Sequence, residues 1–130
     1  MPPLSPGITN KKSVAVTIEN TALAMGSGTL RVFATPAMVA LIEGCCAESV
    51  EDLIGEGMTT VGVTVNVKHL SPSPLGASVL CKSKLVRTDD RRLDFEAEVY
   101  DSAGLIGKGT HSRFIVDADK FSAKTYAKLK

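Results

Sequence analysis

The sequence predicts an α+β fold in which an antiparallel sheet folds around one buried helix. Three observations predict it. Residues 32–47 read as a helix that is apolar nearly all round, and such a helix is normally wrapped by other structure. Four segments after it carry strand patterns and are joined by short turns. One further strand pattern precedes it.

A chain of 130 residues fits one domain. A domain of that size buries roughly two-thirds of its unfolded surface. Residues 1–12 are rich in proline and polar groups and read as a loosely held, flexible segment, which leaves 13–130 as a single domain without internal repeats. Val14, Val16 and Ile18 alternate with Ala15, Thr17 and Glu19, the mark of a short strand. Ala24 to Thr29, with two glycines and a serine, reads as a flexible loop.

The helix comes next. Thr35 suits its N-cap and Pro36 its first position, where a missing N–H costs nothing. Met38, Leu41, Ile42, Cys45 and Ser49 form one stripe, and Val39, Glu43, Cys46, Val50 and Leu53 form a second. Gly55 or Gly57 ends the element. In the first strand after it, Val61, Val63, Val65, Val67 and His69 share one face by alternation. A second strand follows from Ala77 to Thr88, and Asp89-Asp90-Arg91 turns the chain. Leu93, Phe95, Ala97 and Val99 then face inward against Asp94, Glu96 and Glu98. Ser102-Ala103-Gly104 leads into Leu105 to Val116, and the remaining residues suggest a short amphipathic helix with an acidic N-cap. A helix with two apolar stripes satisfies only part of its surface against one sheet. The rest, or a sheet edge, calls for a second copy, so a homodimer is expected.

Composition narrows the function. A net charge of +1 gives no global field for nucleic acid or an anionic membrane. Four Phe, two Tyr and no Trp do not make a base-stacking surface. No apolar run reaches the roughly 18 residues of a membrane span, and the N-terminus lacks the features of a signal peptide. Cys45, Cys46 and Cys81 are odd in number and lack metal-ligand spacing. These features favour a cytoplasmic protein, with no metal or cofactor implied.

Four side chains stand out. Glu43 is a carboxylate in the middle of an apolar helix, costly there without a partner or a wet pocket, and partial burial suits it to acid–base work or attack. His69 is either a hydrogen-bonded histidine at the edge of the core or a general base. Thr35 is either a cap alone or a group beside the first-turn amides and the positive end of the helix dipole. Thr35 and Glu43 lie roughly 12 Å apart along the helix axis, so they do not hydrogen-bond to each other. His111 reads as part of a solvated face, whereas Arg113 offers a fork of donors to a carboxylate or phosphate. Lys82, Lys84, Arg87, Arg91 and Arg92 read as surface charges or as contacts for a nucleotide phosphate.

Three blocks together carry a resemblance. They are Phe33-Ala34-Thr35-Pro36 with Glu43, Thr60-Val61-Gly62 with His69-Leu70, and Gly104 to His111 with Arg113-Phe114. In order and spacing they resemble the fluoroacetyl-CoA thioesterase-like family of hotdog-fold proteins, over roughly Val14 to Phe121. The resemblance implies a hotdog fold, a sheet wrapped around one long helix, acting as a homodimer or higher oligomer with sites at the interface. It implies an acyl-CoA substrate. The family's catalytic threonine, glutamate and histidine match Thr35, Glu43 and His69; its acyl-site glycine matches Gly62 and its strand arginine matches Arg113. The family's fluoroacetyl-specific member carries phenylalanines before the helix that gate the acyl pocket. Here that loop is Met25 to Leu30, without an aromatic, which implies a broader or different acyl preference.

The expected activity is therefore hydrolysis of a small acyl-CoA to a carboxylate and free coenzyme A. The competing reading is a non-catalytic hotdog protein that binds an acyl-CoA or a small acid.

Overall fold

The computed structural model describes residues 4–129. Five strands form one antiparallel sheet: β1 (Thr9–Ala15), β2 (Met58–His69), β3 (Ser78–Asp89), β4 (Arg92–Asp101) and β5 (Gly104–Asp117). Their order across the sheet is β1-β3-β4-β5-β2. A short helix, α1 (Ala22–Met25), precedes the long helix α2 (Thr35–Val50), and α3 (Ala118–Tyr126) closes the chain. This is the hotdog fold, with α2 packed against all five strands.

The helix is held by its apolar stripes. Met38, Leu41, Ile42, Cys45, Cys46 and Val50 are buried. They join Leu85 of β3, Leu93, Phe95 and Val99 of β4, and Ile106 and Ile115 of β5 in one core. Leu53, expected on the second stripe, lies beyond the helix in a 3-10 turn and is exposed. Gly107 allows the start of α2 to come close. A Cβ there would collide with the side chain of Met38 and would sit 3.2 Å from the Lys68 carbonyl. Gly44, by contrast, faces the side chain of Lys12 from β1.

The tight turns are chemically legible. Asp90 adopts φ 55° between β3 and β4, and Gly104 adopts φ 138° at the start of β5. Asp117 caps α3 by accepting from the Lys120 amide at 3.0 Å.

Three local expectations need correction. The first strand runs from Thr9 to Ala15 rather than around Val14 to Ile18, so it begins inside the segment expected to be loose. It pairs with β3 along its whole length, from Thr9 opposite Lys84 to Ala15 opposite Ser78. Ile18–Asn20 is instead a 3-10 turn. The loop expected at Ala24 to Thr29 contains the end of α1, closed by Gly26 in the left-handed conformation. Finally, β2 is not one clean alternation, because the register shifts between Gly62 and Thr64. Before that bulge Gly62 pairs with Arg113; after it Val65 pairs with His111 and His69 with Gly107. An extra residue exchanges the two faces of a strand. Val61 therefore shares the outer face with Phe114, while Gly62, Val65 and His69 share the helix side.

Gly107→Ala should destabilise the fold by about 1–3 kcal/mol through overpacking. The urea midpoint measures it, and an unchanged midpoint would mean that α2 does not approach β5 this closely.

Candidate functional site

The inner face of β2 carries two polar clusters. The first sits at the start of α2. Ala34, with φ −75° and ψ 142°, is the N-cap residue and offers no side-chain cap. Thr35 is thus the first helical residue, and its hydroxyl is not used as the expected cap. It instead lies 2.8 Å from Nδ1 of His69, the last residue of β2. The Phe33 ring meets the imidazole edge-on at 6.5 Å. Burial lowers the His69 pKa from its ordinary value against a smaller opposing effect of the Ser71 backbone, favouring the neutral ring. Its Nε2 is buried with no hydrogen-bond partner among the described residues. A recess of about 320 Å³ opens beside this pair, lined by Ala22, Ser27, Val32, Phe33, Leu70, Ser71 and Pro72.

The second cluster surrounds Arg113 on β5, which is only 8% exposed. Its Nε donates to Thr60 Oγ1 and its Nη2 to the Thr60 carbonyl, both at 2.8 Å. Nη1 lies 3.2 Å from His111 Nε2 and 3.7 Å from Glu43 Oε2. Burial lowers the Arg113 pKa, and the Glu43 carboxylate opposes that shift. Gly62 supplies the room for this convergence. A Cβ there would stand 2.9 Å from Glu43 Oε2 and 3.2 Å from Arg113 Nη1. The half-buried carboxylate that looked costly in the sequence thus has its partner.

The two clusters remain separate within one chain. Among the described residues no hydrogen bond or ion pair joins Glu43 to Thr35 or His69, so a single chain does not bring acid and imidazole together. A larger concavity, about 1030 Å³, lies on the outer face of the sheet among Lys11, Lys82, Lys108, Lys68 and Glu98. That is the side of the sheet away from Thr35, Glu43 and Gly62. The buried polar side chains converge on the inner face instead. Of the remaining basic residues, Arg92 is tied to Asp94 at 3.0 Å and Lys82 lies over the Tyr100 ring at 5.1 Å. Among the described residues no group of three His, Cys, Asp or Glu is placed to hold a metal.

His111 is the residue that sequence reasoning misplaced. It is 2% exposed rather than solvated, and its Nδ1 lies 2.7 Å from the Thr64 carbonyl. The signal was present: His111 shares its parity with Arg113 and the core residue Ile115, whereas Thr110, Ser112 and Phe114 fall on the other face.

The arrangement is that of a hotdog protein with a polar site along its central helix. Residues 16–119 match the model of the FlK family, fluoroacetyl-CoA-specific thioesterase, and the chain belongs to that family. A curated relative, the fluoroacetyl-CoA thioesterase of Streptantibioticus cattleyicolor, is 33% identical over 97 residues, covering 75% of this chain and 70% of the relative. The solved structure of the fluoroacetyl-CoA thioesterase FlK superposes with a TM-score of 0.92 at 26% identity, covering 98% of both chains. A Thermus thermophilus thioesterase superfamily member gives 0.89 at 27% identity, covering 99% of this chain and 95% of the other.

Burial also sets a pH dependence. His69 and His111 both have folded-state pKa values below the ordinary imidazole value, chiefly from desolvation. The unfolded chain therefore takes up more protons as pH falls through about 6.5. Their contribution to stability is complete above that pH and is lost on acidification. Calorimetric Tm should fall as pH drops from about 7.5 to 5, with a shallower slope in His111→Gln. A Tm that holds or rises on acidification would contradict this.

Proposed function

We propose that the chain hydrolyses the thioester of a small acyl-CoA, releasing a carboxylate and free coenzyme A. The observation that carries this reading is the Thr35 hydroxyl at 2.8 Å from an imidazole kept neutral by burial, at the start of a helix. A neutral imidazole takes a proton from a neighbouring hydroxyl or water. First-turn amides, which lack intrahelical acceptors, suit the oxyanion of a tetrahedral intermediate. The family membership and a variant of FlK solved with acetyl-CoA support an acyl-CoA as substrate.

In this reading the thioester carbonyl lies near the start of α2, polarised by backbone N–H groups with Gly62 bordering the acyl site. Thr35 or Glu43 attacks the carbonyl carbon, or Glu43 draws a proton from an attacking water. The C–S bond breaks as His69 passes a proton to the departing thiolate; where Thr35 or Glu43 has attacked, water then hydrolyses the acyl-enzyme, so that on either route one water is consumed and a thiol and a carboxylate are formed. Arg113 holds the Glu43 carboxylate in place. Trapping an acyl-enzyme separates the covalent from the water route. The absence of an aromatic between Met25 and Leu30 supports an acyl preference broader than, or different from, fluoroacetate.

The working unit in this reading is a homodimer. Among the described residues β2 is an edge strand that pairs only with β5, and its Val63 and Val65 are 52% and 40% exposed. A long apolar edge is a template for another strand. Antiparallel pairing of β2 with its copy near Val65 sets the Gly62 end of one strand beside the His69 end of the other. Glu43 of one protomer thereby joins Thr35 and His69 of its partner in one site. Three buried free thiols, Cys45, Cys46 and Cys81, fit a reducing cytoplasm. No helix among the described residues is long and apolar enough to cross a membrane.

Glu43→Gln and His69→Ala should each lower kcat by about 10²-fold or more, with circular dichroism unchanged. Release of free thiol from a panel of acyl-CoA esters reads this directly. A wild-type protein that binds acyl-CoA without releasing thiol would leave the non-catalytic binder instead. Sedimentation at micromolar concentration should give a dimer, and a strictly monomeric profile would remove the shared site.

A further inference from the structure

We propose that His111 is a positioning residue, which fixes the Arg113 guanidinium so that its Nη1 faces the Glu43 carboxylate. The inference rests on the thioesterase reading of that site and adds a residue to it.

The hydrogen bonds of His111 define one protonation state. A carbonyl only accepts, so the 2.7 Å contact with the Thr64 carbonyl puts the proton on Nδ1. A guanidinium only donates, so the 3.2 Å contact with Arg113 Nη1 requires a bare Nε2. Both demands are met by the neutral ring protonated at Nδ1 and by no other form. The imidazolium would turn an N–H toward the guanidinium and lose the acceptor. The surroundings oppose it as well: the ring is buried against Phe95 of β4, with centroids 6.4 Å apart, and the Arg113 cation lies beside it. The charged groups facing the ring are Arg113 from its own strand and Glu43 from α2; β2 contributes the Thr64 carbonyl.

Arg113 needs this acceptor. Thr60 satisfies Nε and Nη2, which orients the guanidinium plane but leaves Nη1 to His111 and Glu43. With His111 accepting from Nη1, the guanidinium is held from two sides, and Glu43 Oε2 lies at 3.7 Å over the space that Gly62 keeps open. A guanidinium without the His111 acceptor is free to turn about its Thr60 contacts, and the carboxylate moves with it. Displacement of a reacting group by an ångström is enough to cost about 10²-fold in rate.

The test compares two substitutions. His111→Gln places an amide oxygen near the position of Nε2 and keeps an acceptor for Arg113. His111→Asn reaches only the Thr64 carbonyl. His111→Asn should lower kcat by about 10- to 100-fold with KM changed less than about threefold, while His111→Gln stays within about threefold of wild type. In an Arg113→Lys background the further loss from His111→Asn should shrink to less than about twofold, because the two residues act as one unit. Equal losses in both variants, or a full loss from His111→Asn added to that of Arg113→Lys, would overturn the proposal.

A second readout needs no turnover. Nitrogen-15 chemical shifts of the wild-type protein should show His111 protonated at Nδ1 and bare at Nε2, and a proton on Nε2 would refute the assignment even if both variants were inactive. If wild-type protein releases no thiol from any acyl-CoA, the thioesterase reading fails by itself, and the nitrogen shifts still decide the state of His111.

Discussion

A guanidinium inside a protein is tolerated only when its donors are used and its charge is answered. Arg113 imposes that constraint here, and much of the inner face follows from it. Thr60 supplies two acceptors, His111 a third and Glu43 the countercharge. Each partner makes its own demand. Glu43 must approach from α2, so the opposing position on β2 has to be a glycine. His111 must be neutral, so its other nitrogen needs a carbonyl. The bulge in β2 meets both requirements, placing Gly62 opposite Arg113 and Thr64 within reach of His111. The same constraint explains how a carboxylate sits midway along a helix whose other inward residues are apolar. Glu43 is half-buried because it neutralises a buried cation and borders an open space.

The second cluster follows different physics. Thr35 is fixed by the backbone of the first helical turn and His69 by the end of β2, so their contact depends on how closely the start of α2 approaches the sheet. Gly107 makes that approach possible beneath Met38. The clusters therefore lie toward opposite ends of the inner face of one edge strand. In the proposed homodimer, two-fold pairing of that strand with its copy would exchange those ends and turn two incomplete arrangements into two complete ones.

Much of this was legible in the residues. The apolar stripes of α2 and the alternation in β4 name the core directly, because side chains buried against a sheet must be apolar at the element's own period. β1 was harder. Thr9, Asn10, Lys11 and Lys12 carry no hydrophobic alternation, since this edge strand exposes alternate residues and buries none fully. The bulge in β2 was invisible for another reason: four valines at period two look like one face, whereas an added residue moves Val61 to the other side. Thr35 has the chemistry of a cap, yet the helix begins at Thr35 itself, with Ala34 as the cap residue. His111 was misplaced because a histidine between Thr110 and Ser112 looks solvated until the strand's parity is read from Arg113 and Ile115.

In the proposed homodimer, Glu43 of one protomer serves Thr35 and His69 of the other. Co-expression of a Glu43→Gln chain with a His69→Ala chain tests it most directly, by thiol release from the whole purified dimer population. Hybrid dimers then carry one intact site and one doubly defective site, so an equal mixture should recover about a quarter of wild-type activity. If each chain instead uses its own Glu43 and His69, every site lacks one group, and activity would stay at the level of the single variants.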